Sequence, residues 1–375
     1  MLQKSKKLPI SKNQKSSMWN FSHAKHKIKT QQKRKNKMNY RYIGKTGLRV
    51  SPICMGTMTF GSQCDEKEAF KILDKAYDAG VNFYDTAEVY PIPPSAEKVG
   101  VTEKIVGMWM KTKPRDSIIL ATKVAGAANG WFVPPVRHGL TAIDSFHIER
   151  AIEGSLKNLG TDYIDLYQMH WPDSVVPIEE SMKAFDRLVQ SGKVRYIGTS
   201  NDTAYGTTKA LMTSAHKGYA RFESIQNNFS LLNRRFLDEL ATVARKEQIS
   251  LLPYSPLAGG VLSGKYNQAH VSGGRFRDYI NSPTQRLRVM ADRFMNERTL
   301  ASTQKYLKIA QEHDLHPVTM AIAWSKQFDF VASTIIGATS AEQLDASLAA
   351  MESVLGAEVL AACDKVHSEI LYPMG

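Results

Sequence analysis

Four residues in the first half of the chain have types suited to moving a proton onto a carbonyl oxygen. Asp85 and Tyr90 stand five residues apart, Lys123 closes one apolar run, and His170 closes another. A tyrosine at its reference pKa of about 10 is a reluctant acid near neutrality and gives up its proton more readily beside a cation. Lys123 would supply that cation, and Asp85 would hold and balance it. His170 would add a hydrogen-bond donor to an oxygen gaining negative charge during reduction. Taken singly, each has an ordinary structural explanation. A strand-end Asp caps a turn, a lone Tyr packs, a strand-end Lys reaches water, and a lone His is satisfied in a core. Only joint placement gives the set a chemical meaning, so the elements that carry them decide the matter.

Those elements read as strands alternating with helices. The strand candidates are Ile53–Thr57, Phe83–Thr86, Ile118–Lys123, Ile164–His170, Val194–Ser200, Phe222–Asn227, Leu251–Ser255 and Thr334–Gly337. Between them run amphipathic stretches at Glu66–Ala79, Thr102–Met110, Ser145–Leu159, Ile178–Gln190, Thr203–Lys217, Arg235–Lys246, Leu300–His313 and Ala341–Met351. Strictly alternating units imply parallel pairing through right-handed crossovers. Eight of them predict an α/β fold closed as a (β/α)₈ TIM barrel, with the four polar strand ends and loops converging at its carboxyl mouth. A doubly wound dinucleotide fold would need GxGxxG after its first strand, where this chain reads MTFGSQCD. Asn39–Val50 precedes the barrel and reads as a β-hairpin over its floor. The connections Val124–Asp144 and Leu257–Thr299 are long and follow strand carboxyl ends, where barrel loops carry function.

The net charge of +13 sits almost wholly in one place. Residues 1–37 hold twelve Lys and Arg and no acid, which leaves +1 for residues 38–375. That leader lacks periodic apolar faces and is expected to be disordered. It also lacks the apolar core of a signal peptide. A solvated tail, sequence ahead of a start at Met38, an arm for anionic polymers and a targeting signal are the readings it admits. The domain is expected to span residues 38–375. Cys54, Cys64 and Cys363 have neither metal-ligand nor redox spacing, so no metal is expected and free thiols in a reducing compartment are.

The motifs around these residues resemble those of the aldo/keto reductases. NFYDTAEVY (Asn82–Tyr90) is similar to their Asp/Tyr signature, LATKV (Leu120–Val124) to their lysine strand and DYIDLYQMHWPD (Asp162–Asp173) to their histidine strand. GKVRYIGTSN (Gly192–Asn201) resembles their fifth strand. YPIPP (Tyr90–Pro94) and FVASTIIGAT (Phe330–Thr339) bring the likeness nearest to the bacterial Tas-like branch. It runs from about Met38 to the C-terminus. The resemblance implies that Tyr90, Asp85, Lys123 and His170 take the family's catalytic places and that the cofactor is NADPH. By it, Ser200, Asn201 and Gln226 hold the nicotinamide carboxamide, Tyr254 stacks on the ring, and Gly56 and Thr57 join the cofactor site. Ser255, Pro256, Leu257, Ala258, Gly259, Gly260 and Lys265 form the loop around the diphosphate.

That last stretch, GGVLSGK, also fits most of a phosphate-binding P-loop, but Tyr266 stands where a Ser or Thr would bind magnesium. The residues after it show no helix start. At the adenosine end the resemblance assigns Gly337, Thr339, Ser340 and Gln343, with Ala346 and Ser347 in place of the family's common Glu-Asn pair. Arg275 is then the charge partner for a 2′-phosphate. The expected activity is NADPH-dependent reduction of aldehydes, with some ketones, to alcohols in the cytoplasm. The expected partners are small carbonyl compounds, with no nucleic acid or membrane, and a monomer or weak homo-oligomer. The alternative is an NADPH-binding, redox-sensing regulatory subunit with slow reductase activity. Nucleic-acid binding would rest on the leader's charge alone. Trp131, Phe132 and Trp171 are candidates for an aromatic substrate wall, and the substrate itself is not legible in the loops.

Overall fold

A computed structural model describes residues 39–125, 136–139, 141–267 and 274–374. The expectations for the leader and for Trp131 and Phe132 lie outside the described residues.

Short runs of Ile, Leu, Val and Tyr with no polar alternation form strands buried on both faces, as parallel strands covered by helices must be. After a two-stranded hairpin, β1 (Arg41–Tyr42) and β2 (Arg49–Val50), come β3 (Ile53–Gly56), β4 (Phe83–Asp85), β5 (Ile119–Val124) and β6 (Ile164–Met169). They are followed by β7 (Val194–Ser200), β8 (Phe222–Gln226), β9 (Ser250–Leu251) and β10 (Thr334–Ile336). All neighbours from β3 to β9 pair in parallel, and β10 pairs with β3, so eight strands lie in one continuous sheet. A bridge between Leu251 and Val331 closes it, together with the Ile335 N–H donating to Pro253 O at 2.8 Å. The architecture is the expected (β/α)₈ barrel, and each strand lies within a few residues of its expected bounds.

Strand β9 is the shortest departure, two residues where Leu251–Ser255 was expected. The Leu252 and Tyr254 N–H groups donate toward β8, to Ile225 O and Asn227 O. The Leu251 N–H faces the other way, to Phe330 O, and Pro253, next on that side, has no N–H to give.

The helices start where side chains cap them. Asp65 accepts from the Glu68 N–H, Asp144 from that of His147 and Thr203 from that of Gly206. The stretch expected as Arg235–Lys246 divides into a 3₁₀ turn at Arg235–Leu237 and a helix at Leu240–Glu247. Helices at Pro317–Lys326 and Ala357–Glu369 were not expected. Nor were those at Arg275–Ile280 and Gln285–Met295, inside the connection read as a long loop with no helix start.

The hairpin covers the floor, as expected. The Lys45 N–H donates to Glu223 Oε2 at 2.9 Å, the Gly44 N–H to Ser250 Oγ at 2.9 Å, and Arg41 to the carbonyls of Lys326 and Val331. Gly44 has φ +51°, and a Cβ there would stand 2.4 Å from Glu223 Oε2. Above the hairpin, Cys54, Phe83, Ala121 and Leu166 fill the barrel interior with apolar side chains.

Candidate active site

Two residues further along those same strands, on the same inward face, the interior turns polar. Gly56, Asp85, Lys123 and Gln168 succeed Cys54, Phe83, Ala121 and Leu166. Asp85 and Lys123 meet there: Lys123 Nζ stands 2.5 Å from Asp85 Oδ1, 2.7 Å from Thr86 O and 3.4 Å from the Tyr90 hydroxyl. The ammonium also lies 4.9 Å from the centre of the Tyr90 ring. His170 follows the end of β6, edge-on to Tyr90 at 5.7 Å between ring centres. The four residues picked from sequence therefore share one site.

The electrostatics follow from burial. Desolvation lifts the Tyr90 phenol above its ordinary range, the Lys123 charge pulls it back down, and the net direction is up. Burial works against the Lys123 charge, but Asp85 and Tyr90 outweigh it and keep the ammonium above its ordinary value. Burial, then the Lys123 charge, hold His170 well below the usual imidazole range, so it is neutral. Its Nδ1 is buried with no hydrogen-bond partner among the described residues, and Trp171 stacks on its ring at 3.7 Å.

Around this centre the expected carboxamide residues form one network. Ser200 Oγ donates to Gln226 O at 2.7 Å, and Asn201 Nδ2 donates to His170 O at 2.9 Å and to Ser200 Oγ at 3.1 Å. The Tyr254 hydroxyl donates to Asn201 Oδ1 at 2.7 Å. Gln226 Nε2 gives its two hydrogens to Asp85 Oδ2 at 2.8 Å and to Gln168 Oε1 at 3.2 Å. Gln168 Nε2 also donates to Asp85 Oδ2, at 3.1 Å. Gln168 was not singled out from sequence; its signal was an amide in a strand otherwise apolar on that face. Gly56 and Thr57 complete the rim, with Thr57 Oγ1 donating to Asp85 O at 3.0 Å.

Beyond Tyr254, Ser255, Pro256 and Leu257 lead into a 3₁₀ segment, Ala258–Ser263, broken at Gly259 (φ +64°) and Gly260 (φ +96°). A Cβ on Gly259 would stand 2.9 Å from Arg275 Nη2, and one on Gly260 would stand 3.0 Å from Lys265 Nζ. Burial, then the charge of Arg275, lowers the Lys265 pKa; burial lowers that of Arg275 itself. Two cations without a carboxylate partner among the described residues, beside bare backbone, fit an anionic ligand such as a dinucleotide diphosphate. At the end of β10, Gly337 has open space around it. Beyond it the Thr339 N–H donates to Gln343 Oε1, whose Nε2 donates back to Thr339 Oγ1, with Ser340 between them.

The model of the aldo/keto reductase family matches residues 52–368. Protein tas of Escherichia coli is 38% identical, covering 90% of this chain and 99% of its own length. The uncharacterized oxidoreductase YrpG of Bacillus subtilis is 35% identical over 86% of this chain and 94% of its own. A probable voltage-gated potassium channel subunit beta of Oryza sativa is 32% identical over 84% and 92%. Among the described residues no helix is long and apolar enough to cross a membrane. A barrel of this topology, polar at its carboxyl mouth and matched along nearly its whole length, belongs to the aldo/keto reductase family, and the chain is an NADP-linked oxidoreductase.

Proposed function

We propose that the enzyme reduces aldehydes, and some ketones, to alcohols with NADPH. The observation that carries the reading is the buried Lys123 ammonium between Asp85 Oδ1 at 2.5 Å and the Tyr90 hydroxyl at 3.4 Å. NADPH, when bound, supplies the hydride to the carbonyl carbon. Tyr90 gives its phenol proton to the carbonyl oxygen, and Lys123 stabilises the phenolate left behind. Asp85 balances Lys123 so that the cation can stay buried. Neutral His170 donates a hydrogen bond to the same oxygen as its charge grows.

Ser200, Asn201 and Gln226 hold the carboxamide, Tyr254 backs the ring, and Gly56 and Thr57 form the rim. Ser255 through Gly260 and Lys265 enclose the diphosphate, while Arg275, Gly337, Thr339, Ser340 and Gln343 face the adenosine end. The catalytic domain spans residues 38–375, works in the cytoplasm as a monomer or weak homo-oligomer, and uses neither nucleic acid nor membrane. Multiple-turnover oxidation of NADPH against a panel of aldehydes and ketones tests this. The likeness to potassium channel β subunits favours one second reading, a slow NADPH-binding regulatory subunit. A single turnover with tight NADP⁺ retention for every carbonyl would select it.

A further inference from the structure

Gln168 is wholly buried, where an amide must find hydrogen-bond partners. It pairs in register with Lys123 on β5 and with Gly198 on β7. A Cβ on Gly198 would lie 2.4 Å from Ser224 Oγ and 3.4 Å from Gln168 Cγ, so Ser224 takes the space of the missing side chain and the glutamine packs in van der Waals contact beside it. Leu166, two residues earlier on the same face, shows that an apolar residue suits this interior. An amide one layer higher therefore needs a reason.

The hydrogen bonds supply it. Asp85 Oδ2 can only accept, so the atoms of Gln168 and Gln226 that face it must be nitrogens. With its Nε2 toward Asp85, Gln168 presents Oε1 to the second hydrogen on Gln226 Nε2. Both hydrogens of the Gln226 amide are then used, and Oε1 is the one amide atom that Gln226 can offer a ligand.

We propose that Gln168 is a positioning residue for the reduction. It holds the Asp85 carboxylate against Lys123, and by taking the second hydrogen of Gln226 Nε2, whose first goes to Asp85, it helps fix Gln226 Oε1 as the acceptor for the amino group of the nicotinamide carboxamide. The inference rests on the carbonyl-reductase reading above. It joins the proton-donating residues and the carboxamide contact through one side chain that touches neither substrate nor cofactor.

The test combines an equilibrium measurement with a pH profile. NADP⁺ is compared with its 3-acetylpyridine analogue, in which a methyl replaces the carboxamide amino group. Wild type is expected to bind the analogue about tenfold more weakly, the loss of one well-made hydrogen bond. In Gln168→Leu only Asp85 Oδ2 still orients the Gln226 amide, whose second hydrogen is left without its partner, and the preference of about tenfold should shrink to about threefold or less. The same variant should lose about ten- to hundredfold in kcat/KM.

Gln168→Glu provides the rescue. An introduced carboxyl beside Asp85 protonates at a raised pH. Once neutral it can donate to Asp85 Oδ2 and accept from Gln226 Nε2 as the amide does. Its kcat/KM should therefore recover toward wild type as pH falls, over a range where wild type is flat. If Gln168→Leu kept wild-type discrimination, or if the Gln168→Glu profile ran parallel to wild type, the proposal would be overturned. Should Gln168→Leu fail to give a native circular dichroism spectrum, the Gln168→Glu profile decides. A wild type that reduces no carbonyl would defeat the proposed function and leave the binding comparison to judge Gln168 by itself.

Discussion

The Tyr254 hydroxyl donates to Asn201 Oδ1 at 2.7 Å, and Asn201 is held at φ +55° with its amide nitrogen on His170 O. The Tyr254 ring beyond β9 is thus tied to the ends of β6 and β7. Tyr254→Phe keeps the ring and loses the tie. It is expected to weaken NADPH binding by about two- to tenfold, the worth of one neutral hydrogen bond, and Tyr254→Ala should weaken it further. Fluorescence titration of NADPH measures both, and an unchanged Kd in the Phe variant would remove Asn201 from the account.

Tyr90→Phe retains the ring against His170 and removes the proton. Turnover with chemistry rate-limiting should fall by about 10²–10⁴-fold while NADPH affinity stays within about twofold. A variant retaining more than about half of wild-type turnover would mean that another group is the acid.

Asp85 and Lys123 should behave as a unit. Removing one member of a buried ion pair strands the other, at about 3–5 kcal/mol of stability. Asp85→Asn combined with Lys123→Met should cost clearly less than the two single losses added, both in urea unfolding and in turnover. Additive losses would show that the two charges are independent.

The pH dependence has a definite sign. Burial raises the Tyr90 pKa, so the phenol keeps its proton through the neutral range and loses it as pH rises past about 10. Burial and Lys123 keep His170 neutral at the low end. Reduction should show a kcat/KM that is level between about pH 6 and 8 and declines only on the alkaline side. An acidic limb near about 6.5, the reference imidazole value, would mean that His170 titrates in the working range.

The proposed place of Arg275 is at the 2′-phosphate. Arg275→Ala is expected to raise the Kd for NADPH at least about tenfold while changing that for NADH by less than about threefold, since a charge-assisted contact is worth about 1.5–3 kcal/mol. Equal losses would move Arg275 to the diphosphate, beside Lys265.

Much of this was legible because polar residues at the ends of apolar strands are costly unless they converge. Asp85, Lys123 and His170 announced themselves that way, and the alternating elements located their meeting point. Pro253 carried a signal that the strand expectation did not weigh, since a missing N–H shortens β9. Pro317–Lys326 escaped for the opposite reason. Its residues from Thr319 to Lys326 are all buried, so it has no polar face to give a helical period. The arm from Arg275 to Met295 hid behind its many arginines, with only Ala291 and Phe294 buried in its longer helix. Gln168 was missed because an uncharged amide inside a strand looks like tolerance. Its meaning appears only when two carboxylate bonds and a second glutamine share one layer.

The proline that cuts β9 short also sets how the barrel breathes. β6 and β7 share a ladder of five register pairs, whereas β9 meets β10 through a bridge and the single bond from Ile335 to Pro253. Local opening follows the thinnest hydrogen bonding. In deuterated buffer the Ala332 and Ile335 amides should therefore exchange ahead of those on β6 and β7. The cylinder is stitched most sparingly along this one side, and the glycine-rich turn after Tyr254 continues directly from it.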